Sequence, residues 1–394
     1  VTSNLNAAMW ATFAVFGLNG LVFASWAARI PSASDTLGLS SGAMGALLLF
    51  GAIGSIVALP LSGMVASRFG TGNTVRIGGV GASVGAVIVA LGLAQSSVPF
   101  TGIGLFVLGT GIALWDVAMN IEGADVEQRL RRTIMPKFHA GFSAGAFVGA
   151  MIGAALSALN IELPWHLGAI SILALTVSLW IPKYFLATNP HLEHDPHIAP
   201  ATRFGAWRES RTLLIGLVVL GAALTEGAAN DWIAKATVDG LGRSEAAGAM
   251  MFAVFVASMT VFRFIGGRFI DRYGRVRVLQ ITLGSALVGL LLFVFGPNVY
   301  VSGAGAIFWG LGAALGFPMG MSAAADEPRR AAARVSVVSS IGYTAFLAGP
   351  PLLGFLGDVV GIRNALLAVG IAVLVSFLAA PAAAAPEPKS QLPR

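Results

Sequence analysis

The sequence predicts an all-α integral membrane protein: twelve transmembrane helices in two pseudo-symmetric six-helix halves. Three observations lead there. Of 394 residues, 56% are hydrophobic and only 11% charged, a charged share about half that of ordinary soluble domains. Apolar runs of roughly 20 residues, each enough to cross a bilayer, recur from end to end. A charged hairpin at Gly267–Arg277, Gly-Arg-Phe-Ile-Asp-Arg-Tyr-Gly-Arg-Val-Arg, has a degraded copy 204 residues earlier at Gly63–Gly70, followed by Arg76.

The runs fall at 8–28, 42–66, 75–94, 100–121, 138–159, 163–181, 213–233, 246–265, 278–296, 299–325, 333–356 and 362–380. Unpaired backbone groups are not tolerated in lipid, so each run is expected to be a helix. An even number of spans puts both termini on one side. The hairpin side holds Arg68, Arg76, Arg129, Arg272, Arg275 and Arg277 among others. The opposite loops hold only Arg29, Lys235, Arg243 and Arg363 of the 24 Lys and Arg. The positive-inside rule makes both termini of this multi-pass membrane protein cytoplasmic. The net charge of +6 follows from that bias and gives no reason to expect nucleic acid. The first run is too long and too polar-flanked for a cleavable signal peptide and is taken as span 1. With no cysteine, disulfides and thiolate metal sites are excluded.

The expected organisation is a first half at 1–182, a cytoplasmic linker at 183–211, a second half at 212–381 and a disordered tail at 382–394. His191, His194 and His197 in the linker are spaced by three residues, but a Pro-broken segment fixes no ligand geometry, so no metal site is assigned. Duplication has further support. Ser25-Trp26-Ala27-Ala28-Arg29 matches Asp231-Trp232-Ile233-Ala234-Lys235 as the ends of spans 1 and 7. Gly109-x-Gly111 in span 4 matches Gly310-x-Gly312 in span 10. Both halves point the same way, as parallel repeats about an axis along the membrane normal.

Carboxylates inside a bilayer are costly and usually functional. Glu226 and Asp116 are the two within spans and, with His139, are the candidates for proton coupling. Asn120 follows Asp116 by four residues and Asn230 follows Glu226 by four, so each pair shares a helix face. Asn19, Asn120, Asn230, Trp115, Trp309, Tyr343 and Thr344 are the candidate lining of a central cavity, while Trp26 and Trp232 suit an interfacial belt. No Lys or Arg is expected near mid-span, Arg263 being placed close to the cytoplasmic end of span 8. That absence disfavours anionic solutes. No phosphate-binding loop is present, so neither ATP coupling nor any other cofactor is expected.

Twelve spans, a long central loop and the hairpin resemble the major facilitator superfamily over essentially the whole chain. Its loop motif is matched by Gly267, Asp271, Arg272, Gly274 and Arg275. The copy at Gly63, Ser67, Arg68 and Gly70 departs from it, with serine in place of aspartate. Asp116-Val117-Ala118-Met119-Asn120, Glu226 to Trp232 and Gly349-Pro350-Pro351 are similar to the bacterial YbjJ-like branch. The resemblance implies a transporter, not an enzyme, working by alternating access, with the hairpins as a cytoplasmic gate. The antiporter motif of span 5 is half present: Gly141, Gly145, Gly149 and Gly153 recur without proline, a spacing that also suits close helix packing. The expected function is proton-coupled transport of a small, neutral polar, sugar-like solute by a monomer, with protons, solute and lipid as its partners. The alternatives are an organic-cation efflux antiporter and a non-transporting receptor on the same fold.

Overall fold

The computed structural model describes residues 2–131, 134–186, 205–327 and 330–385. His191, His194 and His197 lie outside the described residues. The helices are α1 (Thr2–Ala27), α2 (Ile30–Thr36), α3 (Ser41–Ala94), α4 (Val98–Leu130), α5 (Met135–Ala158), α6 (Leu163–Trp180), α7 (Ser210–Leu241), α8 (Glu245–Tyr273), α9 (Arg275–Phe295), α10 (Val299–Ala313), α11 (Gly316–Ala324), α12 (Ala331–Val360), α13 (Ile362–Ala365) and α14 (Leu367–Ala379). By length and composition, 11 of the described segments can cross a membrane. One of them, α3, holds two crossings. Gly51 in its first leg and Ala82 in its second both abut α4, at Gly109 and Gly111, so the chain doubles back between them.

It doubles back at Gly70, with φ 80° and ψ 160°. The second hairpin turns at Gly274, with φ 80° and ψ 157°. Residues with a side chain rarely adopt such a backbone, and glycine does so freely. Two elbows 204 residues apart thus share one conformation, and the duplication seen in the sequence is a duplication of backbone geometry.

The repeated Gly-x-Gly has the same task in both halves. A side chain at Gly109 would collide with the backbone of Gly51, and one at Gly111 with that of Ala82. A side chain at Gly310 would collide with the Phe255 carbonyl, and one at Gly312 with Ala286. In each half the bare backbone lets one helix wedge between the two legs of a hairpin. The span 5 glycines also serve packing. Gly145 rests on the Gly17 backbone, Gly149 on Leu21 and Gly153 on Ala28 and Arg29, closing α5 onto α1. Close approach of this kind supplies dispersion contacts where lipid offers no hydrophobic drive between helices.

Several helices run past their apolar runs, because a helix does not end where charge begins. α7 continues to Leu241, so Asp231 and Lys235 are internal to it rather than at its end. α8 continues to Tyr273, ten residues beyond Arg263. At 1.5 Å per residue that places Arg263 about 15 Å from the helix end. Trp26 and Trp232 are buried within the protein and do not form an interfacial belt.

Candidate functional site

Each half is tied together at the elbow end by one acidic side chain. In the first half Glu122, near the end of α4, accepts from the Thr71 hydroxyl at 2.7 Å and from the Leu186 N–H at 2.7 Å. In the second half Asp326, just past α11, accepts from Arg275 at 3.0 Å and from Arg211 at 2.7 Å. Thr71 and Arg275 each follow the elbow glycine directly, and Thr71 and Glu122 stand 204 positions before Arg275 and Asp326. The clasp is therefore a repeat too, hidden in sequence because its donor changed from hydroxyl to guanidinium.

At the opposite end the bonds run between the halves. Asp358, near the end of α12, accepts from Ser40 at 2.9 Å and from the Gly42 N–H at 3.0 Å, capping the start of α3. Lys235 donates to Ser34 at 2.9 Å. Arg29 lies 3.6 Å from Glu245, which also accepts from Ser157 at 3.2 Å. Burial pushes the Arg29 guanidinium below its ordinary pKa, with Glu245 opposing. Gly45 packs on the Pro350 backbone and Gly354 on that of Ser41, so the seal is close as well as polar. Among the described residues, the hydrogen bonds and ion pairs joining the halves all lie at this end.

The elbow motifs face outward here. Gly63, Ser67, Arg68, Gly267, Asp271, Arg272 and Gly274 are exposed, and Gly70 is partly so. Ser67 bonds only to the Met64 carbonyl, at 2.9 Å. Asp271 makes no hydrogen bond or ion pair among the described residues. Arg68 and Arg272 lean on the adjacent rings of Phe69 and Tyr273, at 5.7 and 5.4 Å. Arg275 alone of the motif is engaged, through the clasp.

Between the halves the structure assembles a polar cleft. Glu226 on α7 accepts from Arg263 on α8 at 2.8 Å, with both side chains about one-fifth exposed. Arg263 is thus the fixed cation the sequence was expected to lack. The apolar run ends just after it, which hid that the helix carries on. His139 on α5, from the other half, lies close enough to feel both charges, and its ring meets Phe16 edge-on at 5.3 Å. Asp116 is half-buried; Asn120 donates to its backbone carbonyl at 2.8 Å and more weakly to its carboxylate at 3.4 Å. Tyr343 on α12 is exposed and faces Asp116 from the other half. Thr344 beside it is exposed and bonds to the Ile341 carbonyl at 2.6 Å. Asn230 and Asp231 on α7 are partly exposed and bond to nothing described. Sequence reasoning passed over Asp231 because it placed the end of span 7 there.

Three expected cavity residues lie elsewhere. Trp115 and Trp309 are wholly buried inside their own halves. Trp115 packs on Gly78 and Gly79, and Trp309 on Gly289 with its ring 5.7 Å from Phe255. Asn19 is wholly buried in α1, and neither its amide nitrogen nor its oxygen has a partner among the described residues. Periodicity places a residue on a face but does not say which neighbour covers that face, and here helices of the same half do.

A last feature lies against the ion pair. Span 10 is broken between Ala313 and Gly316. Pro318 explains the break: its ring meets the carbonyl four residues back and it offers no N–H to that carbonyl. The carbonyl in question is Ala314, and Arg263 Nε donates to it at 3.1 Å. A broken helix next to an intramembrane charge is a recurring form of transporter binding site.

The profile of the Major Facilitator Superfamily matches residues 212–394. An uncharacterized transporter, y4wD of Sinorhizobium fredii, is 30% identical over 92% of this chain and 95% of its own. An uncharacterized MFS-type transporter of Yersinia pestis is 31% identical over 91% of each chain. Among solved structures, the nucleoside transporter NupG superposes with a TM-score of 0.75 at 16% identity, over 96% of this chain and 99% of its own. A single-residue variant of the E. coli fucose:proton symporter FucP gives 0.62 at 15% identity, over 94% and 97%.

Proposed function

The chain belongs to the major facilitator superfamily, and from that premise we propose that it is a proton-coupled secondary transporter moving a small polar organic solute by alternating access. Two halves, each with its own elbow-end clasp and, among the described residues, joined by hydrogen bonds and ion pairs only at the opposite end, support a rocking motion. With the elbows cytoplasmic, this is an inward-facing arrangement. The observation that carries proton coupling is the Glu226–Arg263 pair in the cleft. A proton arriving on Glu226 cancels the charge that holds the pair together. A desolvated pair is costly to keep and strongly destabilised when one partner is lost, so its state is tightly linked to its surroundings. His139, near both charges, and Asp116, opposite Tyr343, are the groups through which a proton would reach or share that site.

FucP is a fucose:proton symporter and NupG a nucleoside transporter, and their solutes are in keeping with a polar cleft. Anionic solutes were disfavoured for want of a fixed cation, and Arg263 removes that ground. Organic cations are the second reading, favoured by Asp116 and Asp231, neither of which has a cationic partner among the described residues. In proteoliposomes, Glu226→Gln is expected to abolish uptake driven by a pH gradient while leaving solute exchange measurable. Wild-type pH dependence in that variant would move the coupling role to Asp116.

A further inference from the structure

We propose that the Glu226–Arg263 pair marks a carboxylate-binding site, so that the transported solute carries a carboxylate which displaces Glu226 from Arg263. This assignment rests on the transporter reading and names its substrate class.

Arg263 is held in place before any solute arrives. Pro318 frees the Ala314 carbonyl, and Nε takes it at 3.1 Å. Leu315, in the break, packs its side chain on Gly266 of α8, one turn beyond Arg263. The guanidinium is therefore held through Nε while its Nη2 donates to Glu226 at 2.8 Å. A planar, pre-positioned fork of this kind suits bidentate carboxylate recognition. The break adds a second feature. α11 begins at Gly316, and Gly316 abuts Ala222, one turn before Glu226 on α7. The start of α11 thus lies in the same corner as the pair, and helix N-termini favour anions. In this state Glu226 is the anion that occupies the corner.

Competition then couples proton to solute. While Glu226 is ionised it holds Arg263, and an incoming carboxylate must displace it. Once protonated, Glu226 loses its charge and can only accept a weaker hydrogen bond from the guanidinium, and Arg263 is free to pair with the solute. One proton and one carboxylate enter together, so the site keeps its net charge through loading. A further titratable group facing the pair is His139 from α5. α10, α11 and α14 bring no Asp, Glu, His, Lys or Arg to it.

Chemical rescue tests the site without knowledge of the natural solute. In purified full-length Glu226→Ala, millimolar acetate is expected to raise the melting temperature by several degrees, with acetamide and chloride inactive. The rise should vanish in Glu226→Ala/Arg263→Gln. In the wild type, where Glu226 competes for Arg263, acetate and lactate should protect at higher half-maximal concentration than in Glu226→Gln, by about tenfold. Failure of acetate to stabilise Glu226→Ala, or equal stabilisation by acetamide, overturns the carboxylate assignment. Uptake of a neutral sugar driven by a pH gradient and unaffected by Arg263→Lys would overturn it too, yet leave the transporter reading standing. Carboxylate binding with no pH-driven uptake would instead count against proton coupling.

Discussion

The two ends of the molecule use the same chemistry with opposite connectivity. At the elbow end, carboxylates bind partners within their own half: Glu122 with Thr71, Asp326 with Arg211 and Arg275, and Glu209 with Arg330 and Arg334 at 2.8 and 2.6 Å. At the far end, Asp358, Lys235 and Glu245 reach partners in the other half. The first arrangement makes each half a solid body. The second decides which end of the cleft is shut. A count of ion pairs would call the ends alike; only the assignment of partners to halves separates a brace from a gate.

Breaking the far-end seal should have the largest effect. Asp358→Ala removes two bonds to a charged acceptor, which in a partly exposed setting is worth about 2 kcal/mol, or roughly thirtyfold in the open-to-closed ratio. The chain has no cysteine, so a single Ser41→Cys, on which Gly354 packs, reports opening through its labelling rate by an impermeant maleimide. Unchanged labelling would show that the seal does not depend on this cap. Lys235→Met should act in the same direction by about 1 kcal/mol, roughly fivefold, since its one bond across the halves is lost while its buried stem is replaced.

The elbow end should respond weakly and with opposite sign. Asp271 is free here, so Asp271→Asn leaves this state alone and weakens the elbow-closed state, where a helix N-terminus would meet the charge. The cost there is about 0.3–1 kcal/mol, at most fivefold, and Ser67→Ala should do less. Equal shifts from the two, read by cysteine accessibility from the elbow side, would show that the lost aspartate of the first elbow has no mechanical meaning. Smallest is the response of the brace to pH. Burial pushes the Glu209 carboxyl up, but bonds from Arg334 and Thr212 and the charges of Arg334 and Arg330 outweigh it and hold the carboxyl below its ordinary value of 4.5. A depressed carboxylate stabilises above its unfolded pKa, and that stability is lost as pH falls through the lower folded value. Melting temperature should therefore be indifferent to Glu209 ionisation from pH 8 to 6 and fall only in acid, and Glu209→Gln should flatten that fall.

Fold and repeat were legible because lipid enforces them: runs of apolar residues must be helices, and the elbow glycines must stay glycine to turn. Glu226 and Asp116 were legible because a carboxylate between apolar residues is conspicuous. Arg263 and Asp231 were missed for one reason, that hydropathy ends a span at its first charges while the helix continues. The break in span 10 left a trace in Pro318, whose effect falls four residues upstream at Ala314. Trp115 and Trp309 were misplaced because their burial depends on glycines of neighbouring helices, Gly78 and Gly289, and no local pattern states that pairing.

The elbows have a consequence for how this chain tolerates changes in length. Neither has slack to absorb an extra residue: α3 turns at Gly70 alone, and α9 begins at Arg275, immediately after Gly274. One residue inserted after either glycine would rotate the following helix by about 100°. Thr71 would swing away from Glu122, or Arg275 from Asp326, and every glycine wedge beyond would present the wrong face. Surface connections usually accept insertions and deletions freely. These two act instead as fixed-length spacers, and indels should be tolerated in the stretch joining the halves long before they are tolerated here.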